Sequence, residues 1–307
     1  MKPFSRILVG LDLTEMDFIL LRFMHHFMRI YPHIKDLYFI HVEKDLEQAS
    51  IKEEGTLKGN IPIDEQFKMR MREEVEKYYR NDLSLNVRYK IVEGDPLKQL
   101  LHWSRIKHID LIVAGKKVQQ KGRGIVMQKL ARKSDCSILF VPENYKPRFR
   151  KILIPVDFTK RTDNVFETAC MIRNQLPHSK FICQHVVEVP SGYTRIGKTY
   201  EEFAEIMTGH ARNKWKKYIE EHDIKCLDVQ PEFISIENGS VAKSIIDFAH
   251  AQNIDMIMMG SKRQTNVSAF ILGSVGEDLV NRDKDILLLL VKHQNKPYDF
   301  FKAMQKV

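Results

Sequence analysis

Nowhere does the sequence reach the roughly 18 uninterrupted apolar residues that a membrane-spanning helix needs, so no membrane partner is expected. With 43% hydrophobic and 29% charged residues it matches ordinary globular usage, which excludes wholesale disorder and fibrous repeats. Met1 to Arg6 lead into an apolar strand of five or six residues that meets Asp12. That run is too short for a secretory signal, and the cytoplasm is the expected place. Cysteine is scarce: Cys136, Cys170, Cys183 and Cys226 form no CxxC and show no spacing of a disulfide framework, so free thiols in a reducing compartment are expected. A nucleophile elbow, a Walker A lysine motif and an HExxH sequence are all missing, which leaves hydrolytic catalysis without evident machinery. The net charge is +9, with basic residues grouped only at Lys116 to Arg123, Arg148 to Lys151 and Lys214 to Lys217. A solvated lysine-rich surface accounts for that scatter better than a nucleic-acid-binding face.

What the sequence does have is an internal repeat. Arg6-Ile-Leu-Val-Gly-Leu-Asp12-Leu-Thr14 returns as Lys151-Ile-Leu-Ile-Pro-Val-Asp157-Phe-Thr159, an offset of about 145 residues. In the same register Phe39-Ile-His41-Val42 returns as Cys183-Gln-His185-Val186, Glu93-Gly94-Asp95 as Asn238-Gly239-Ser240, and Ile109 to Gly115 as Ile254 to Gly260. Four matches in one register mean a duplicated domain, and 307 residues suit two domains. The boundary falls in the polar stretch flanked by Pro142 and Pro147, giving domains at residues 1–145 and 146–307.

Each half alternates continuous apolar strands with helix-spaced segments. In the second half strands are expected at Ile152 to Val156, Phe181 to Val187, Gln230 to Ser235, Met256 to Met259 and Ile286 to Val291. Helices are expected at Asn164 to Gln175, Tyr200 to Glu221, Val241 to Ala251 and Val275 to Asn281. The first half repeats the order. Right-handed crossovers then place helices on both faces of a parallel sheet, so the fold class is α/β with two tandem doubly wound domains.

Ligands of such sheets bind outside the carboxyl ends of the strands. After the fourth strand of the second half, Gly260 is expected to let the chain leave the strand with positive φ and to allow close backbone approach. Gly273 and Ser274 open a helix whose N–H groups suit a phosphate, although a serine cap alone explains the same residues. Asp157 ends the first strand, where a carboxylate can accept ribose hydroxyls, reach a metal on a polyphosphate, or cap the next turn. His41 and His185 occupy matching places with no ligand partner at useful spacing, which favours partly buried structural histidines over a base or metal ligand. The polar stretches Glu43 to Asn60 and Glu188 to Lys198 follow strands at the same end and are expected to be mobile.

The repeat, the aspartate after strand one and the loop after strand four together resemble the universal stress protein family in its tandem form, over about residues 4–141 and 150–292. The resemblance implies a five-stranded parallel sheet of order 3-2-1-4-5 in each half, and halves that pair with each other as an intramolecular pseudo-dimer, with a further homodimer of whole chains left open. Nucleotide-binding members carry Gly, two residues, Gly, nine residues, then Gly and Ser or Thr. The second half matches at Gly260, Gly273 and Ser274 but has Arg263 at the middle glycine, a departure that either meets a phosphate or fills its site. The first half has Gly115, Val118 and a loop four residues shorter, ending in Gly124-Ile125. Lys116, Lys117, Lys121 and Arg123 leave room there for another anion.

The resemblance thus implies a regulatory protein that binds ATP, with or without magnesium, in its second half. Pro155, Val156 and Asp157 would lie along adenine and ribose, Val186 beside the base, and Gly260, Arg263, Gly273, Ser274 and Val275 around the phosphates. A scaffold of the same fold without nucleotide is the alternative reading. A slow ATPase using Asp157 or His185 as the water-positioning base is the third.

Overall fold

Runs as apolar as Ile152-Leu-Ile and Leu287-Leu-Leu-Leu-Val bury both faces only in the middle of a sheet, and the computed structural model places them there. It describes residues 4–52, 61–79, 85–117, 123–222, 224–227, 229, 231–237, 239–263, 270–271 and 273–292, with the backbone alone at 123–125, 160–161, 225, 262–263 and 270–271. The first half runs β1 (Arg6–Leu11), α1 (Glu15–Ile30), β2 (Asp36–Glu43), α2 (Leu46–Lys52), α3 (Ile63–Tyr79), β3 (Asn86–Glu93), α4 (Pro96–Ile106), β4 (Leu111–Lys116), α5 (Arg123–Lys133) and β5 (Ser137–Pro142). The second runs β6 (Lys151–Pro155), α6 (Lys160–Arg173), β7 (Lys180–Glu188), α7 (Tyr200–Glu221), β8 (Pro231–Ile236), α8 (Val241–Ala251), β9 (Met256–Gly260), the two-residue strands β10 (Lys262–Arg263) and β11 (Phe270–Ile271), α9 (Gly273–Arg282) and β12 (Leu287–Val291).

Ten strands form one sheet of order β3-β2-β1-β4-β5-β12-β9-β6-β7-β8. Each half is parallel with the order 3-2-1-4-5, and the halves meet where β5 runs antiparallel to β12 in the register Leu139 to Leu289. One apolar layer packs under α1, α3, α6 and α7, the other under α4, α5, α8 and α9, and both continue across the β5 and β12 junction. Helix starts follow local chemistry. Thr14 and Ser240 cap α1 and α8, Asp95 with Pro96 starts α4, and Thr199 with Glu202 forms a full capping box on α7.

Three details depart from the sequence expectations. Cys170 on α6 and Cys226 in the turn Lys225–Leu227 form a disulfide, with Cα atoms 5.7 Å apart. Linear spacing misses it because 56 residues separate the two and only the packing of α6 against that turn brings them together. Cys136 and Cys183 stay free and buried. The segment between the halves is less of a tether than its polar composition suggests: Tyr145 and Phe149 are buried and pack on Phe23 of α1, and the Tyr145 hydroxyl hydrogen-bonds His26 Nδ1 at 2.5 Å. Finally, α6 starts at Lys160 instead of Asn164 and α9 at Gly273 instead of Val275, because apolar spacing marks the packed turns of a helix and not its first one.

Candidate functional site

The carboxyl ends of β6, β7 and β9 bring the sequence-predicted residues to one edge of the second half. The backbone N–H of Val156, just past Pro155, donates to Gln184 O of β7 at 2.8 Å. Asp157 then turns the chain. Its Oδ1 accepts from Thr159 N at 3.1 Å, Thr159 Oγ1 at 2.6 Å and Thr162 Oγ1 at 3.0 Å. The next residue, Phe158, is left-handed with φ 56°, a conformation costly for a non-glycine residue. Packing over-determines it: its ring lies 4.5 Å from that of His185 and 6.1 Å from those of Trp215 and Tyr218.

His185 Nδ1–H donates to Val156 O at 2.8 Å, and burial lowers its pKa below the usual histidine value. His41 makes the same bond to Leu11 O at 3.1 Å. Both histidines therefore brace the end of one strand against its neighbour through Nδ1.

Gly260 ends β9 in extended backbone and not with the expected positive φ, and the chain after it does not curl into a left-handed turn at Arg263. Arg263 lies in β10, paired antiparallel with Phe270 of β11. Extended backbone accepts any residue, so the missing glycine carries no backbone penalty here. Gly273 does take positive φ, 78°, as α9 begins. Ser274 is exposed in that first turn, and Val275 packs on the apolar layer behind it. The start of α9 thus offers N–H groups and a hydroxyl at the same sheet edge as Asp157 and Val186.

The first half uses the corresponding residues differently. Lys117 Nζ donates to Asp12 Oδ2 and Thr14 Oγ1, both at 2.5 Å. Asp17, whose counterpart is Thr162, accepts from the N–H groups of Asp12 and Leu13 at 3.0 and 2.8 Å, and burial pushes its pKa up to about 6. A Cβ on Gly115 would meet Met16 Cγ at 2.6 Å, so that glycine makes room for α1. Lys116 is fully buried, and its Nζ donates to Asp283 Oδ2 at 2.8 Å and Ile286 O at 2.9 Å in the other half. The expectation that Lys116 and Lys117 leave a cationic site for another anion is therefore corrected: one clasps the two halves and the other closes on Asp12. Lys121 and Val118 lie outside the described residues, as does the side chain of Arg123.

Sequence reasoning missed Gln184 and Ser261. Both are buried at this edge, and neither Gln184 Oε1 and Nε2 nor Ser261 Oγ has a hydrogen-bond partner among the described residues. The repeat itself carried a signal, since it sets Gln184 against Ile40 of the first half.

Residues 148–284 match the model of the universal stress protein family. A universal stress protein of Methanocaldococcus jannaschii is 27% identical over 165 residues, 48% of this chain and 97% of that protein. A universal stress protein structure from Archaeoglobus fulgidus covers 95% of this chain and 98% of its own at 16% identity and TM-score 0.60. A functionally unknown protein from Pseudomonas aeruginosa covers 100% of this chain and 99% of its own at 14% identity and TM-score 0.63. At those identities the two structures speak for the fold alone, and they do so over the whole length. Residues 148–284 are thus similar to the universal stress protein family, and the whole chain carries the fold of those two structures in two tandem halves.

Proposed function

We propose that the chain is a regulatory protein that holds one adenine nucleotide, ATP, in its second half. The observation that carries this reading is the start of α9, where a left-handed Gly273 and an exposed Ser274 open a helix at the carboxyl end of the sheet that also carries Asp157. In this reading Pro155 and Val186 offer an apolar floor for a base with the backbone of Val156 at its rim, Asp157 an acceptor for ribose hydroxyls, and Gly260, Gly273, Ser274 and Val275 a backbone cradle for phosphates, which Arg263 borders. No group of His, Cys, Asp and Glu suited to a metal occurs among the described residues, so in this reading a magnesium ion rides on the phosphates.

The nucleotide acts as a signal: it shifts an equilibrium of conformations or partners to the extent that it prefers one state. A division into residues 1–145 and 146–307, and a place in the cytoplasm, go with this reading. No helix among the described residues is long and apolar enough to cross a membrane. The thiol argument for a reducing compartment has lost force with the Cys170 and Cys226 pair.

Isothermal titration of ATP into nucleotide-free protein tests the proposal. One site per chain is expected. Gly273→Val, which blocks close approach and strains a left-handed position, and Ser274→Ala, which leaves the backbone intact, should each weaken binding, the first by about tenfold or more. Gly124→Val in the first half should change affinity little. Arg263→Gly weakens binding where the arginine meets a phosphate and tightens it where the arginine obstructs. Two sites per chain, or indifference to Gly273→Val, contradicts the assignment, and no binding by the wild type makes the scaffold the better reading.

A further inference from the structure

Gln184 is 1% exposed in the middle of β7, and both ends of its amide lack hydrogen-bond partners among the described residues. Its first-half counterpart is Ile40, equally buried at 1% and packed in the apolar layer under α4 and α5. An isoleucine would satisfy the same position in the second half, and a buried, unpaired amide is expensive to keep. A polar side chain held there against that penalty points to a ligand that pairs with it.

Its place in the fold says which part of a ligand. Side chains alternate along a strand, so Gln184 shares the layer of Ile182 and Val186. It stands in register beside Pro155 of β6, and its own carbonyl accepts the Val156 N–H. The buried, unpartnered hydroxyl of Ser261 lies just beyond β9, which contributes Ile257 and Met259 to that layer. Gln184 thus sits about 7 Å below Val186 along the strand, flanked by the residues assigned to the base.

We propose that Gln184 reads the edge of the base. Its carbonyl oxygen accepts from the 6-amino group of adenine and its amide nitrogen donates to the adjacent ring nitrogen, the two-point match that a glutamine makes with this base. The inference rests on the nucleotide reading of the second half and adds the residue that selects among purines. A base lying against Val186 with its amino edge directed down the strand brings the two groups together.

Titration calorimetry with ATP and with the 5′-triphosphate of purine riboside, which lacks the 6-amino group, tests it. The wild type should prefer ATP by about tenfold. Gln184→Ile, which installs the first-half residue, should bind both nucleotides with equal affinity while its Tm stays level or rises. Gln184→Met repeats the comparison without β-branching in case the isoleucine variant misfolds. A preference for ATP that survives in either folded variant, or no preference in the wild type, overturns the role of Gln184 and leaves the nucleotide site standing. A wild type that binds neither nucleotide overturns both.

Discussion

At the scale of single residues, two buried lysines, Lys116 and Lys292, reach across the join of the halves where hydrophobic residues would be usual. Lys292, 4% exposed at the end of β12, donates from Nζ to Ala131 O and Ser134 O at 2.6 Å each, and its backbone N–H donates to Ser137 Oγ at 3.1 Å. Desolvation pushes its pKa down to about 7, against about 10.4 for an exposed lysine. Below pH 7 both folded and unfolded chains carry the proton, and the charged ammonium is held buried at a cost. Between about pH 7 and 10 the folded chain releases its proton while the unfolded chain keeps it, so this residue makes stability rise with pH in that window. The Tm of Lys292→Met minus that of the wild type should therefore be most positive near pH 6 to 7 and fall steadily to pH 10. A difference that does not change with pH would mean that the ammonium stays charged throughout.

At the scale of elements, the connection from β7 to α7 sits beside the proposed base site. Its single 3-10 turn, Tyr193–Ile196, is bracketed by Gly192 and Gly197, both left-handed. The Tyr193 hydroxyl donates to Glu237, and its ring packs against those of Phe203 and Tyr200. These contacts involve few buried groups, so the turn opens at little cost. Hydrogen exchange at residues 190–198 should slow when ATP is added, as expected of a lid, and equal protection with and without nucleotide would remove that role. The elements themselves were legible in the sequence, because strands such as Leu287–Val291 and helices such as Val241–Ala251 carry their period openly. The repeat likewise exposed the strand ends on which Asp157 and Val186 sit. Side-chain closure was not legible. Nothing in the spacing of Asp12 and Lys117 says that they bond across 105 residues, and Tyr145 and Phe149 look like scattered aromatics until α1 packs on them. Arg263 shows the limit from the other side, since a motif position fixed by glycine elsewhere lies here in an extended pair.

At the scale of the whole molecule, the ten-stranded sheet makes each half the other's missing edge. Strands β5 and β12 are buried along their full length, and the lysine clasps run both ways across them, Lys116 to Asp283 and Ile286, Lys292 to Ala131 and Ser134. A second half produced alone as residues 150–307 would expose β12 as an apolar edge. It would also leave Asp283 buried without Lys116, which costs about 3 to 5 kcal/mol. The antiparallel register around Leu289 is close to self-complementary, so a second copy of β12 can take the place of β5. Sedimentation of that fragment should show a homodimer or aggregate, with a Tm below that of the full chain. Within the full chain, Lys116→Met should lower Tm sharply and Lys116→Met with Asp283→Leu should recover much of the loss, since the double variant leaves no unpaired charge. A fragment that stays monomeric and folded, or a double variant no more stable than the single one, would show that the halves lean on each other far less than their shared sheet and reciprocal lysines require.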